Sequence, residues 1–255
     1  MIAILSPAKK LDFKKKVPFA KSSEILFSAE ASSLAERLKE FSPDELMKLM
    51  KISRQLGELN TERFFQWHWP YEKKESRQAI YAFNGEAYNG LDAWSLEVQS
   101  IDTAQNQLRI LSGLYGVLRP LDGIMPYRLE MGTKLPNKEG KNLYEFWGNK
   151  LTTQLNKDLK QGNHKALINL ASQEYFKAID PKKIVKPIIT PLFKENKNGQ
   201  YKVITIYAKK ARGMMVRFII QNKLTDPEDL KAFNEDGYHF NSELSQENEI
   251  VFTRH

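Results

Sequence analysis

Apolar runs too short to be helices recur along this chain: MIAIL at 1–5, QAIYAF at 78–83, LRILS at 108–112, KALINLA at 165–171 and EIVFTR at 249–254. Runs of this length and density read as strands buried on both faces, the kind found in sheets that helices cover. Segments with helical spacing separate them, which confines the chain to an α/β or α+β fold. IIT at 188–190 and YKVITIYA at 201–208 flank KENKNGQ, whose Asn198-Gly199 pair predicts a tight hairpin. At least one strand pair is then antiparallel, and the sheet is expected to be mixed.

Several helix starts are legible. Ser42-Pro43-Asp44-Glu45 combines a capping serine, proline at the first helical position and a glutamate three residues after the cap. A second helix is expected from about Arg54 to Gln66, another over residues 22–40 capped by Ser22 or Ser23, and one through NLYEFWGNKLTTQLNKDLKQG ending at Gly162. SPAKKLDFKKKVPF at 6–19 breaks the pattern after the first strand with two prolines and five lysines. With no repeat, low-complexity tract or linker, residues 1–255 read as one domain of a mixed sheet flanked by helices. No stretch approaches the roughly 18 apolar residues of a membrane span, and the start is unsuited to a signal peptide. A soluble, cytoplasmic protein without membrane contact is expected. The absence of cysteine excludes disulfides, thiol nucleophiles and Cys-ligated metal centres.

The net charge of +8 is unevenly placed. From Leu224 onward Asp226, Glu228, Asp229, Glu235, Asp236, Glu243, Glu247 and Glu249 stand against Lys231 and Arg254, so this stretch carries −6 and residues 1–223 carry +14. The imbalance suits an anionic partner, and equally a well-solvated surface.

Four stretches could organise that charge. In YAKKARGMMVRFII at 207–220, helical spacing puts Ala208, Ala211, Met215, Phe218 and Ile219 on one side as a core stripe. Lys210, Gly213 and Arg217 fall opposite with Gln221, and Gly213 would let a backbone or a phosphate approach between the two charges. KLMKISRQLGEL at 48–59 has the spacing of a helix-hairpin-helix with Lys51 and Ser53 where hairpin glycines usually stand; Lys51 and Arg54 would supply charge, and Ser53 would cap the second helix. LSGLYGVLRPLDGIMPYRLEMG at 111–132 follows a predicted strand and offers Arg119, Tyr127 and Arg128, while Ser6-Pro7-Ala8-Lys9-Lys10 occupies the equivalent place after the first strand. No P-loop or dinucleotide fingerprint is present. The four histidines, His68, His164, His239 and His255, lack metal-ligand spacing, and His68 between two tryptophans reads as a packed side chain. Ser6 with Lys9 is the nearest approach to a Ser/Lys dyad, and FFQWHWPY at 64–71 is either core or a stacking surface for bases.

Together SPAKKLDF, FNGEAYNGL, LRILSGLYGVLRPLDGIMPYRLEMG, LYEFWG, INLASQEYFK, YAKKARGMMVRFII and FNEDGYHF, in this order from residue 6 to 240, resemble the YaaA family of bacterial peroxide-stress proteins. The resemblance implies an α/β domain of unusual topology with a helix-hairpin-helix element and a basic cleft that binds duplex and distorted or bubble-containing DNA. It also implies a role in limiting iron-driven damage during peroxide stress, with no cofactor, metal or settled enzymatic activity. The DNA contacts expected on this chain are Lys9, Lys10, Lys51, Arg54, Arg119, Arg128, Lys209, Lys210, Arg212 and Arg217, with Ser6, Tyr127 and Gly213 lining the cleft. Two other readings stay open: an enzyme acting on a nucleotide or nucleic-acid base around Ser6, Lys9, Tyr127, Arg128 and Lys209, and an interaction protein whose acidic stretch after Leu224 folds over the cleft.

Overall fold

The first apolar run forms a strand, Ile2–Leu5 (β1), in which every residue is buried. It becomes the middle of the sheet because both its faces and both its edges are covered. Further strands of this sheet are Leu108–Ser112 (β2), Gly116–Leu118 (β3), Leu167–Leu170 (β4), Ile188–Lys197 (β5), Gln200–Lys202 (β6), His239–Phe240 (β7) and Glu249–Arg254 (β8). The structure is a computed structural model that describes residues 1–18 and 20–255; Phe19, at the end of the lysine-rich loop expected from the sequence, lies outside the described residues. The strand order is β7-β8-β5-β4-β1-β2-β3, with β6 paired to β5. β8, β5, β4, β1 and β2 are mutually parallel, whereas β3, β6 and β7 are antiparallel to β2, β5 and β8. In register, Ile2 to Leu5 face Leu167 to Leu170 on one side, and Ala3 to Leu5 face Leu108 to Ile110 on the other. The mixed sheet expected from the apolar runs is present, and the chain turns at Asn198-Gly199, with φ of 55° and 79°, but of the expected strand YKVITIYA only Tyr201 and Lys202 are extended in the sheet, and Thr205 onward is helix.

Helices cover the sheet: Ser28–Lys39 (α1), Pro43–Met50 (α2), Arg54–Gln66 (α3), Glu86–Leu91 (α4), Val98–Gln107 (α5), Leu143–Trp147 (α6), Lys150–Gln161 (α7) and Thr205–Gln221 (α8). α2 and α3 start as the sequence predicts. The Ser42 hydroxyl accepts from the Glu45 N–H, the Glu45 carboxylate accepts from the Ser42 N–H, and Ser53 caps α3. Three further expectations are corrected. QAIYAF is no single strand: Arg77–Gln78 pairs with Gly123–Ile124, a helical turn occupies Ala79–Ala82, and Phe83–Asn84 pairs with Lys10–Leu11. The run reports burial, not extension, because Gln78 to Phe83 are all buried. α1 starts only at Ser28, without a side-chain cap, because the Ser23 hydroxyl donates to buried Asp122 at 2.7 Å. The long helix expected up to Gly162 is divided into α6 and α7, since Gly148 takes a φ of +45°.

Helix α8 departs most from its two-sided reading. Its core stripe is in place, with Ala208, Ala211, Met215 and Ile219 buried and Phe218 partly so, but Val216, Ile220 and Gly213 are buried too. The covering element is α4. A Cβ on Gly213 would stand 1.7 Å from the Ala87 carbonyl oxygen, and a Cβ on Gly90 would stand 2.0 Å from that of Lys210. The helices therefore meet backbone to backbone, through reciprocal glycines. Arg217 then donates from Nη1 to the carbonyl oxygens of Leu91 at 3.1 Å and Asp92 at 2.8 Å, satisfying groups at the end of α4. Gly213→Ala is expected to destabilise the protein by about 3 kcal/mol or more, because backbone must move. Gly199→Ala, with nothing within 4 Å, should cost only the left-handed penalty of about 1–2 kcal/mol. Urea unfolding checks this, and equal losses would remove the crossing from its structural role.

Candidate functional site: a cationic cleft at the switch point of the sheet

The chain leaves β1 to build β2 on one side and returns to build β4 on the other, so the loops after β1 and β4 diverge. Crevices at such reversals, beyond the carboxyl ends of parallel strands, are natural ligand sites. Here the crevice is a cleft of about 780 Å³, within the range of about 300–1,000 Å³ usual for small-ligand sites. Ser6 to Lys10 after β1, Ser172 to Tyr175 after β4, Tyr127 to Glu130, Asn84 to Tyr88 at the start of α4, and Thr205, Ala208, Lys209 and Arg212 on α8 line it. Ser6 joins the two strand-end loops: its hydroxyl accepts from the Ser172 N–H at 2.8 Å and donates to the Ser172 hydroxyl at 3.2 Å. The Tyr88 hydroxyl donates to the Ser6 carbonyl oxygen at 3.1 Å, bringing α4 to the same point.

The sequence-expected cations divide sharply. Lys9, Lys10, Arg128, Lys209 and Arg212 all line the cleft, as do Ser6 and Tyr127. The others do not. Arg119 is held by Asp122, whose side chain is wholly buried: its N–H donates at 2.8 Å and its Nε at 3.0 Å, while Nη2 donates to the Glu24 carbonyl oxygen. It fixes a loop instead of facing a ligand. Lys210 pairs with Asp236 at 3.3 Å and Arg217 lies against the end of α4, so the row of Lys210, Gly213 and Arg217 is roofed by a helix, and Gly213 admits backbone rather than phosphate. The cationic face of α8 that meets the cleft is instead Lys209 with Arg212, one turn apart. Lys51 and Arg54 lie outside the cleft at the α2–α3 turn; Lys51 itself adopts the left-handed conformation, with φ of 52°, and exposed Arg54 pairs with Glu58 at 3.1 Å.

Within the cleft, pairing is incomplete. Glu130 holds Lys9 at 2.6 Å and Arg128 at 3.1 Å. Arg128 Nε is buried with no hydrogen-bond partner among the described residues, and burial followed by the charge of Arg128 lowers the pKa of Arg63 on α3. Among the described residues, Arg212 makes no hydrogen bond or ion pair, and burial alone lowers its pKa. A partly buried guanidinium that no carboxylate answers keeps its donors available to an anion from outside. Burial raises the pKa of Tyr88, Tyr127 and Tyr175, keeping all three protonated; the Tyr127 hydroxyl lies 2.7 Å from the Ser112 hydroxyl.

Sequence reasoning missed Tyr88, Tyr175, Ser172 and the lining carboxylates Glu86, Glu130 and Glu174. Their signal was positional: FNGEAYNGL and INLASQEYFK supply them from segments next to strands. The Ser6/Lys9 dyad does not form as a paired unit, because Ser6 is engaged by Ser172 and Lys9 by Glu130. His68 is exposed, with Nε2 3.5 Å from Glu75, not packed between its tryptophans. Of the aromatic stretch, Trp67 is core and donates to the Tyr115 hydroxyl at 2.8 Å, whereas Phe65 is 80% exposed. The acidic stretch supplies strands β7 and β8, so it is part of the sheet and not a detachable cover; among its described residues only Asp236 reaches the expected cations, through Lys210. No group of three or more His, Asp or Glu side chains among the described residues could hold a metal, and no described helix is long and apolar enough to cross a membrane.

Arg212→Met tests whether the bare guanidinium serves a ligand or the fold. It keeps the aliphatic length and removes the charge, so the free protein should melt at the same temperature or up to about 2–4 °C higher, corresponding to about 1 kcal/mol. Inorganic phosphate should raise the melting temperature of the parent more than that of the variant. A large loss of stability in the variant would make Arg212 structural.

Comparison with known proteins gives this geometry a family. A family model described as "Peroxide stress protein YaaA" matches residues 1–244. A UPF0246 protein of Idiomarina loihiensis is 53% identical over 254 residues, spanning 100% of this chain and 98% of its own. UPF0246 proteins of Teredinibacter turnerae and Hahella chejuensis are 52% and 50% identical, each over 100% of this chain and 99% of theirs. With cleft-lining segments at both ends of the matched region, from Ser6 to Arg212, and full-length relatives at half identity, the chain belongs to the family of YaaA peroxide-stress proteins.

Proposed function

We propose that this family member is a cytoplasmic DNA-binding protein of the peroxide-stress response, which grips duplex and distorted DNA largely through phosphates at the basic cleft and so helps limit iron-driven oxidative damage. The observation that carries the reading is the meeting of cations remote in the chain: Lys9 and Lys10 from the β1 loop, Arg128 from the loop beyond β3, and Lys209 and Arg212 from α8. Lys10, Lys209 and Arg212 have no carboxylate partner among the described residues, so their charge is available to an outside anion. Contacts of this kind position a protein on DNA without reading its bases. In this reading exposed Lys51 and Arg54 at the α2–α3 turn act as a helix-hairpin-helix element and offer a second grip on the same backbone, with Arg54 exchanging Glu58 for a phosphate.

A second reading, an enzyme acting on a nucleotide or nucleic-acid base in the same cleft, is favoured by the cleft's concavity and by the carboxylates Glu86, Glu130 and Glu174 beside the cations. It expects a chemically altered nucleotide, seen by mass spectrometry after incubation with DNA or free nucleotides. Unaltered material leaves binding alone.

The DNA reading is tested by measuring duplex affinity against salt from ~50 to ~200 mM for the parent and for Lys10→Glu with Lys209→Glu. Both side chains are exposed and unpaired, so the fold should be untouched. Affinity should fall steeply with salt for the parent, and the double variant should lose about two from the log–log slope. Salt-independent binding, or an unchanged slope in the variant, rejects phosphate contact at this cleft.

A further inference from the structure

The rings between the end of α3 and the cleft stand in a file. Tyr127, in the cleft wall, meets Tyr115 edge to face with 5.0 Å between ring centroids. Trp67 follows Tyr115 at 6.4 Å, Tyr71 follows Trp67 at 6.4 Å, and Trp69 meets Tyr71 at 4.8 Å. Tyr127, Tyr115 and Trp67 are buried, whereas Tyr71 and Trp69 are partly exposed. The Trp67 Nε1–H donates to the Tyr115 hydroxyl at 2.8 Å, coupling the middle of the file. Packing alone does not ask for these residue types. Where the same chain fills space with rings around β5 and β8 it uses mainly phenylalanine: Phe193, Phe233 and Phe252 lie between 5.4 and 5.8 Å apart, with Phe218 beside Phe233. No phenylalanine stands among the five rings that lead to the cleft. What tyrosine and tryptophan share, and phenylalanine lacks, is ready loss of one electron. With no cysteine in the chain, they are its readiest one-electron donors.

We propose that this file carries electrons from Trp69 to Tyr127, so that a one-electron-oxidised guanine of DNA held at the cleft is restored there and the oxidising equivalent leaves at the protein surface. This activity rests on the DNA reading and goes beyond it. Guanine is the most easily oxidised base, and its radical cation still takes an electron from tyrosine or tryptophan. In the first step guanine regains its electron from Tyr127, whose phenolic proton passes to water in the cleft, leaving a neutral tyrosyl radical. An electron then moves from Trp69 through Tyr71, Trp67 and Tyr115 to Tyr127, which takes a proton back from the cleft. Tunnelling falls off exponentially with distance, so ring-to-ring steps this short favour it. Trp69, short of one electron, gives its indole proton to solvent. One guanine radical cation and one tryptophan are consumed, and one guanine, one tryptophanyl radical and one proton are formed. A low-molecular-weight thiol can then return a hydrogen atom to Trp69 and become a thiyl radical. Burial raises the pKa of Tyr71, Tyr115 and Tyr127, so the resting phenols are protonated and reduced.

The test irradiates a duplex carrying a tethered anthraquinone, which oxidises guanine within the DNA, bound to the full chain or to its Trp67→Phe variant. Trp67 lies in the core and outside the cleft lining, so duplex affinity should stay within about twofold. Piperidine-labile cleavage at guanine and oxidised residues of the protein, mapped by mass spectrometry, are read together. The parent should lessen guanine cleavage and carry its oxidation product on Trp69. Trp67→Phe should lose the Trp69 product and keep oxidation at Tyr127 and Tyr115. A parent that binds but leaves guanine cleavage unchanged, or Trp69 unoxidised, overturns the inference while the DNA reading stands. Equal oxidation of Trp69 in the variant also overturns it, because Trp69 is then reached directly and not through the file. Failure to bind the duplex overturns both readings together. If Trp67→Phe does not fold, Trp69→Phe replaces it: oxidation that moves inward to Tyr71 or Trp67 supports the file, and oxidation missing from all its rings rejects it.

Discussion

The contact on which the site depends is between two pieces of backbone. Gly90 and Gly213 carry no Cβ where α4 and α8 approach most closely, so the carbonyl oxygens of Lys210 and Ala87 lie within about 2 Å of where those Cβ atoms would stand. That closeness brings Glu86, Ala87 and Tyr88 to the cleft beside Ala208, Lys209 and Arg212. It also sets which cations are free. Lys210 and Arg217 are turned to Asp236 and to the end of α4, while Lys209 and Arg212 remain on the open side. A helix crossing spread by one methyl group would alter the walls of the cleft before it altered the sheet.

The basic character of the protein is therefore less telling than its pairing. Arg109 with Asp158 is a buried ion pair, and partly exposed Arg119 meets wholly buried Asp122; both pairs hold elements together. Glu195 accepts from Tyr238 and Arg254, and Arg254 also meets Asp236, which knits the acidic stretch into the sheet edge. Breaking such pairs leaves an uncompensated buried charge, so these arginines belong to stability. The cleft inverts that arrangement: among the described residues no carboxylate answers the guanidinium of Arg212.

Much of the fold was legible because burial on both faces writes itself as apolar density. MIAIL, LRILS, KALINLA and EIVFTR all contain strands of the sheet, and Asn198-Gly199 turns where its backbone preference requires. Ser42 and Ser53 marked helix starts because capping is chemistry within four residues. QAIYAF misled because apolar density does not tell a buried turn of helix from a strand. The cleft was half legible: strand-end loops and the α8 cations were found by position, but periodicity names a face without naming the neighbour that covers it. Nothing in YAKKARGMMVRFII tells that α4 lies over Gly213 or that Asp236 reaches Lys210. Arg119 is different, since Asp122 is only three residues away and the loop RPLDG carried both partners in plain view.

The placement of β1 has a consequence for how the protein is made. Its two hydrogen-bonding neighbours are encoded about a hundred and about a hundred and sixty residues downstream, at Leu108–Ser112 and Leu167–Leu170. On the ribosome, Ile2–Leu5 leaves the exit tunnel as a bare greasy ribbon and waits through most of translation for both sides of its ladder. The strand that ends up best sheltered is thus the one with the longest vulnerable youth, and chaperone custody of the nascent chain is the natural counterpart of a sheet assembled from its centre outward.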